Sequence, residues 1–138
     1  SLTKVKHSTK NTKSDQIIRI ILDENSRGSF QGKIRVDVGA DGTLANMSGK
    51  SLLLSDNARV NSKPELEILA DDVRCSHGVT VGSLNAEQLF YLRSRGIPEN
   101  EARKLLINSF GNVIINNIST NLAKRAKNLM LEDSNKND

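Results

Sequence analysis

The chain has 138 residues, 36% of them apolar and only 3% aromatic, with no Trp, one Cys and a formal charge of +4. That length suits one domain, or a domain with an appended helical piece, burying about two thirds of its unfolded surface around a core of Ile, Val, Leu and Ala. A single Cys excludes an intramolecular disulfide framework, one Cys and two His are too few for a structural zinc site, and no run approaches the ~18 apolar residues of a membrane span.

The start, SLTKVKHSTKNTKSD, holds the densest positive charge at Lys4, Lys6, Lys10 and Lys13, with no acid before Asp15 and no aromatic to stack on a base. Over the whole chain 20 basic and 16 acidic residues are interspersed. A solvated first strand and loop is therefore expected here, with no nucleic-acid surface and no membrane contact. No apolar segment follows these lysines, so the segment is no signal peptide, and with the lone Cys this points to a soluble protein in a reducing, intracellular setting.

From 17 to 81 short aliphatic runs alternate with turn residues. The runs are IIRIIL (17–22), FQGKIRVDV (30–38), LLL (52–54), ELEIL (65–69) and VTV (79–81). A period of two puts Phe30, Ile34, Val36 and Val38 on one strand face, and Leu66 and Ile68 on another. Between them ENSRG, GADG, MSGK, SDNA and ADD supply the Gly, Asn and Asp that close turns, which limits strands to about four to eight residues. Spacing alone leaves a sandwich, a barrel and a parallel solenoid open, and no clean repeat period is visible.

After Gly82 the period becomes helical. Asn85 with Gln88 three residues on is a capping-box signature, opening a short helix that stops at Gly96 with Arg93 and Arg95 in its last turn. Pro98 suits a first helical turn, with Glu99 and Glu101 near the positive end of the dipole. Ala102, Leu105, Leu106, Phe110, Val113, Ile114 and Ile118 then recur at helical spacing, with Gly111 as a weak point. A break at 119–121 precedes a third helix marked by Leu122, Ala126, Leu129 and Met130, ending near Glu132, and a frayed tail DSNKND.

Residues 52–111 carry LLLSD, KPELEILADDVRCSHG and LFYLRSRGI in that order. In motif and spacing this stretch resembles the C-terminal part of the SufB and SufD family of iron–sulfur cluster assembly proteins. The upstream SRGSFQGKIRVDVGADGT fits the same family, so the resemblance covers most of residues 3–118. A SufB-like chain usually has His-Glu-Ala where His77, Gly78 and Val79 stand, and a Cys after Phe-Tyr. Here Leu92 follows Phe90 and Tyr91, and Cys75 precedes His77, which are SufD-like choices with Val79 a mild departure from Ala.

The resemblance implies a mainly β fold with C-terminal α. The last turns of a right-handed parallel β-helix would span 1–82, a helical domain of about three helices 83–132, and a disordered tail 133–138. It also implies about the last third of a family member, with an open first coil and a tendency to self-associate.

Within DDVRCSHGVTVG, Cys75 and His77 are two apart, and on one strand they would share a face. Thiolate and imidazole both ligate iron, yet a cluster needs about four ligands and this chain offers at most three, counting His7. The chain alone therefore binds no cofactor, and a site here must be completed by a partner. By resemblance that partner is a SufB-like subunit, with a transient iron–sulfur cluster formed near His77 in the full complex; a homodimer is also admitted. His7, far from the motif in sequence, is expected at the surface. The helical half would dock a SufC-like ATPase, with Arg93, Arg95, Glu99 and Arg103 as contact candidates. No GxxxxGK[ST] loop occurs, so the chain itself should not bind ATP.

A non-catalytic SufD-like subunit is thus the expectation, in the cytoplasm or, in a eukaryote, a plastid-like organelle. The alternatives are a structural β-solenoid and helical interaction module with an inert Cys/His pair, or the SufB-type paralogue. A Cys/His nucleophile enzyme is disfavoured, because no third orienting residue is evident.

Overall fold

The computed structural model describes residues 1–116, 118, 121–126 and 128. It divides into two compact units, Ser1–Ser83 and a second from Leu84 onward.

The first unit is all β. Its strands are β1 (Leu2–His7), β2 (Lys13–Leu22), β3 (Arg27–Val36), β4 (Thr43–Leu53), β5 (Arg59–Ile68) and β6 (Val73–Ser83). All pairing is parallel and joins each strand to the one two places on, giving sheets ordered β1-β3-β5 and β2-β4-β6. Consecutive strands alternate between the sheets, so the chain advances one strand position in each sheet for every two strands. The advance is uneven: Leu2 pairs with Gln31, Lys13 with Leu44, Arg27 with Arg59 and Thr43 with Val73. Such a repeat of about 30 residues drifts by one or two at each turn, which hides it from a search for a fixed period.

The core lies between the sheets. Phe30, Ile34 and Val36 from β3 meet Ala45 and Met47 from β4 and Ala40 from the intervening turn, with Ile18, Ile20, Leu66, Ala70, Val73 and Cys75 packed around them. The core is mostly aliphatic, as composition requires, although its largest fully buried side chain is Phe30. Gly32 is part of the same packing: a Cβ there would lie 2.6 Å from both Met47 Sδ and Phe30 Cζ.

Four features of the strands differ from the sequence expectation. MSGK is not a turn but the middle of β4, where Met47 is buried in the core and Gly49 lets Val79 approach. Val38 is not on the inner face of β3; it lies beyond the strand end, 79% exposed, beside Gly39 with φ 78°. Strands β2 to β6 have 10 or 11 residues, because parallel neighbours extend pairing past the apolar runs. Ile68 shares its parity with Leu66 but is exposed at the strand end.

The turns stack as the strands do. The Asn11 N–H donates to the Asp41 carbonyl (2.9 Å) and the Gly42 N–H to the Asp72 carbonyl (2.6 Å). Gly42, with φ 73°, has the Asn11 amide where a Cβ would stand, so only glycine fits. Outside the first sheet, Lys6 pairs with Asp37 (2.9 Å), Arg35 with Asp37 (2.8 Å) and Glu67 (2.7 Å), and Lys33 with Glu67 (2.6 Å). Lys6, one of the early lysines, is thus neutralised by an acid one turn later.

The second unit contains α1 (Ala86–Ser94) and α2 (Glu99–Ile115), with residues 121–126 also helical. The Asn85 side chain accepts from the Gln88 N–H at 2.9 Å, and Gly96 follows the helix end with φ 88°. Pro98 is the N-cap of α2 rather than a residue of its first turn. Gly111 is buried and does not interrupt α2. The expected break at Ser119 and Thr120, the Leu129 and Met130 marks of the third helix and the tail 133–138 lie outside the described residues.

Candidate functional site

Strand β6 carries the Cys75–His77 pair and is the terminal strand of its sheet, and among the described residues β4 is the strand it pairs with. Its register sets Cys75 beside Ala45 and His77 beside Met47, both of which are buried inner-face residues. Alternation therefore gives Val73, Cys75, His77 and Val79 the inner parity, with the Cα atoms of Cys75 and His77 about 6 to 7 Å apart along the strand.

The two side chains have different surroundings. Cys75 packs on the core cluster and is half-buried. Burial pushes its thiol pKa up, and a hydrogen bond with the Ala45 backbone only partly opposes this. The sulfur is thus held as a thiol, a poor nucleophile and a poor ligand until it loses its proton. His77 is exposed. Its imidazole can coordinate a metal from neutral nitrogen without first being uncovered. Among the described residues, no group of three or more His, Cys, Asp or Glu side chains is placed to hold a metal ion.

His7 is not a surface residue. It is 4% exposed, with Nδ1 2.7 Å from Thr12 Oγ1 and Nε2 2.8 Å from Ser14 Oγ. As the last residue of β1 its side chain turns inward, and hydroxyls from the next strand and its approach satisfy both ring nitrogens. It belongs to a different strand level from Cys75 and His77.

In the second unit the charged candidates are engaged locally. Arg93 pairs with Glu99 (3.2 Å), and Arg95 donates to the Tyr91 hydroxyl (3.1 Å) with its guanidinium 5.4 Å from the ring centre. Arg103 is half-buried on α2. The sequence reading did not single out Phe90 and Tyr91 as surface residues, yet they are 74% and 56% exposed. The available signal was two of the chain's four aromatic residues standing side by side on a helix too short to bury both faces. Beside them Glu87, Gln88, Tyr91, Leu92 and Leu106 line a shallow groove of about 390 Å³. Among the described residues no helix is long and apolar enough to cross a membrane.

The family model for the SufBD core domain of the SUF system of iron–sulfur cluster assembly matches residues 1–110. The chain belongs to the SufBD core domain family. It is 45% identical over 105 residues to an iron–sulfur cluster assembly SufBD family protein of Synechocystis, covering 76% of this chain and 23% of that protein. It is 43% identical over 108 residues to the iron–sulfur cluster assembly protein SufD of Escherichia coli, covering 78% and 26%. It is also 45% identical over 96 residues to a chloroplastic protein of Arabidopsis thaliana named ABCI7, covering 70% and 20%. The chain thus spans about a quarter or less of the length of these relatives. The match includes β6 and α1, so the Cys75–His77 stretch and the LFYLRSRGI helix both lie in the family domain.

Proposed function

We propose that the chain is the C-terminal region of a non-catalytic SufD-like subunit of an iron–sulfur cluster assembly scaffold. It pairs with a SufB-like subunit and docks a SufC-like ATPase. The observation that carries this reading is the 43% identity over 108 residues to a protein named SufD, within a family match that runs through the whole β unit.

The parallel pairing of strands two apart supports reading the β unit as the last turns of a right-handed parallel β-helix. The terminal position of β6 supports an interface at that end, since among the described residues no strand pairs with its outer edge, the kind of edge another chain can meet. There His77 is the primary contribution to a partner-completed site for a nascent cluster, the cargo of the assembly. Cys75, packed on the core and holding its proton, is the secondary one. The same burial weakens an enzyme built on a Cys75 nucleophile. Exposed Phe90 and Tyr91, with the Arg93–Glu99 and Arg95–Tyr91 pairs, support α1 as the ATPase-docking element. The bacterial and chloroplastic relatives support a cytoplasmic or plastid setting.

Co-expression of the full-length protein with SufB-like and SufC-like subunits tests the reading. A single complex on size-exclusion chromatography is expected. Elution of this protein apart from both, or as a homodimer even when they are in excess, would contradict it.

A further inference from the structure

On the outer face of the second sheet, Asp15, Asn46 and Ser76 stand in one register row across β2, β4 and β6. The Asn46 Nδ2 donates to Asp15 Oδ1 at 2.8 Å, and the Ser76 hydroxyl donates to Asn46 Oδ1 at 2.9 Å. This row crosses every strand of the sheet, and its last rung is the residue between Cys75 and His77.

Strand β6 needs such a device. A slip of one residue would turn Cys75 and His77 to the outer face, and register is weakly specified in edge strands that contain glycine. Among the described residues β6 has one neighbouring strand, and Gly78 and Gly82, both at outer-face positions, offer no side chain to the packing there. Its inner-face anchors are Val73 and Cys75 on the core and Val79 over Gly49, whereas Val81 is 54% exposed.

We propose that Asp15, Asn46 and Ser76 are positioning residues: a hydrogen-bonded ladder that fixes the register of β6 and so holds Cys75 inward and His77 at its inner-face position. The link to function rests on the partner-completed site proposed above; the ladder itself does not.

The test uses Cys75, the only cysteine of the chain, as a unique reporter. Asn46→Asp sets a carboxylate against that of Asp15 in the adjacent strand and removes the donor of the first rung. Alkylation of Cys75 should accelerate by roughly tenfold, the factor equivalent to ~1.4 kcal/mol of lost edge stability. The double variant Asp15→Asn/Asn46→Asp exchanges the two groups at unchanged net charge. The amide at position 15 then donates to the carboxylate at position 46, which still accepts from Ser76, and the rate should return to within about twofold of the parent.

An unchanged rate in Asn46→Asp, or an equal acceleration in the double variant, would overturn the ladder. Should Asn46→Asp fail to fold, as judged by circular dichroism, Ser76→Ala and Ser76→Thr decide. The alanine should react fast and the threonine slowly; equal rates would overturn the proposal. Cluster formation by the full complex is measured in parallel. Loss in Asn46→Asp with recovery in the exchanged pair supports both claims. An unchanged cluster yield alongside the predicted alkylation rates leaves the ladder standing and overturns the site.

Discussion

Replacing Gly32 by Ala tests how tightly the two sheets close on the core. The added methyl would lie 2.6 Å from Met47 Sδ, 2.6 Å from Phe30 Cζ and 2.9 Å from Met47 Cε, where about 3.5 to 4.0 Å is comfortable. Met47 is wholly buried and Phe30 is 2% exposed, so neither has free space to retreat into. Overpacking of this kind costs ~1 to 3 kcal/mol, with the upper half expected where two buried side chains are met at once, while restricting the unfolded chain at a former glycine returns ~0.4 to 1 kcal/mol, leaving a net loss of ~1 to 2.6 kcal/mol. For a chain of this size the melting temperature should fall by roughly 4 to 8 °C, read by circular dichroism. Gly78→Ala is the control, because a Cβ there meets nothing within 4 Å, and its melting temperature should hold or rise. A Gly32→Ala protein as stable as the parent would refute this account of the core.

Three further outcomes follow from the same geometry. Hydrogen bonds from Arg35, then Lys6 and Ser8, hold the Asp37 carboxyl down to about 2 from an ordinary 3.8. The unfolded chain therefore binds the proton first, and the Asp37 contribution is present above pH 3.8 and lost as pH falls through about 2. Urea midpoints of the parent and Asp37→Asn should differ at pH 5 and converge near pH 2; a constant gap would disprove the linkage. For Cys75 the sign is opposite. Its folded thiol keeps its proton to higher pH than the unfolded one, so the pH midpoint of alkylation should lie above that of an ordinary cysteine, and stability should decline as pH rises through the thiol range. A midpoint at or below the ordinary value would mean that Cys75 is not held against the core. Asn85→Ala removes the cap on the Gln88 N–H, at ~1 kcal/mol, and should speed hydrogen exchange in α1, whereas unchanged exchange would show that the cap does not hold the helix.

The strand runs and the cap were legible because each is local. Ile34 and Val36 declare a buried face by alternation, and Asn85 with Gln88 declares a helix start. What the sequence hid is set by pairing between distant residues. MSGK has turn composition, yet flanking parallel strands hold Met47 in the core and Gly49 beneath Val79. His7 looks polar and terminal, but it faces Thr12 and Ser14 inside the coil, which no local pattern signals. Val38 continues the alternation in sequence while the backbone has already turned at Gly39. At the candidate site, the shared parity of Cys75 and His77 was readable from their spacing. Their unequal exposure was not, since it depends on which inner-face neighbours β4 supplies. The Asp15–Asn46–Ser76 row could not be read without the register.

If His77 is presented to a partner chain for cluster assembly, as proposed above, cluster formation by a complex carrying His77→Ala is the measurement that shows it most directly. The full-length variant, assembled with SufB-like and SufC-like subunits, should keep the complex intact on size-exclusion chromatography, because an exposed imidazole contributes little to folding. Its iron and acid-labile sulfide content after reconstitution should fall well below that of the parent complex. An intact His77→Ala complex that acquires iron and sulfide at the parent level would contradict the account.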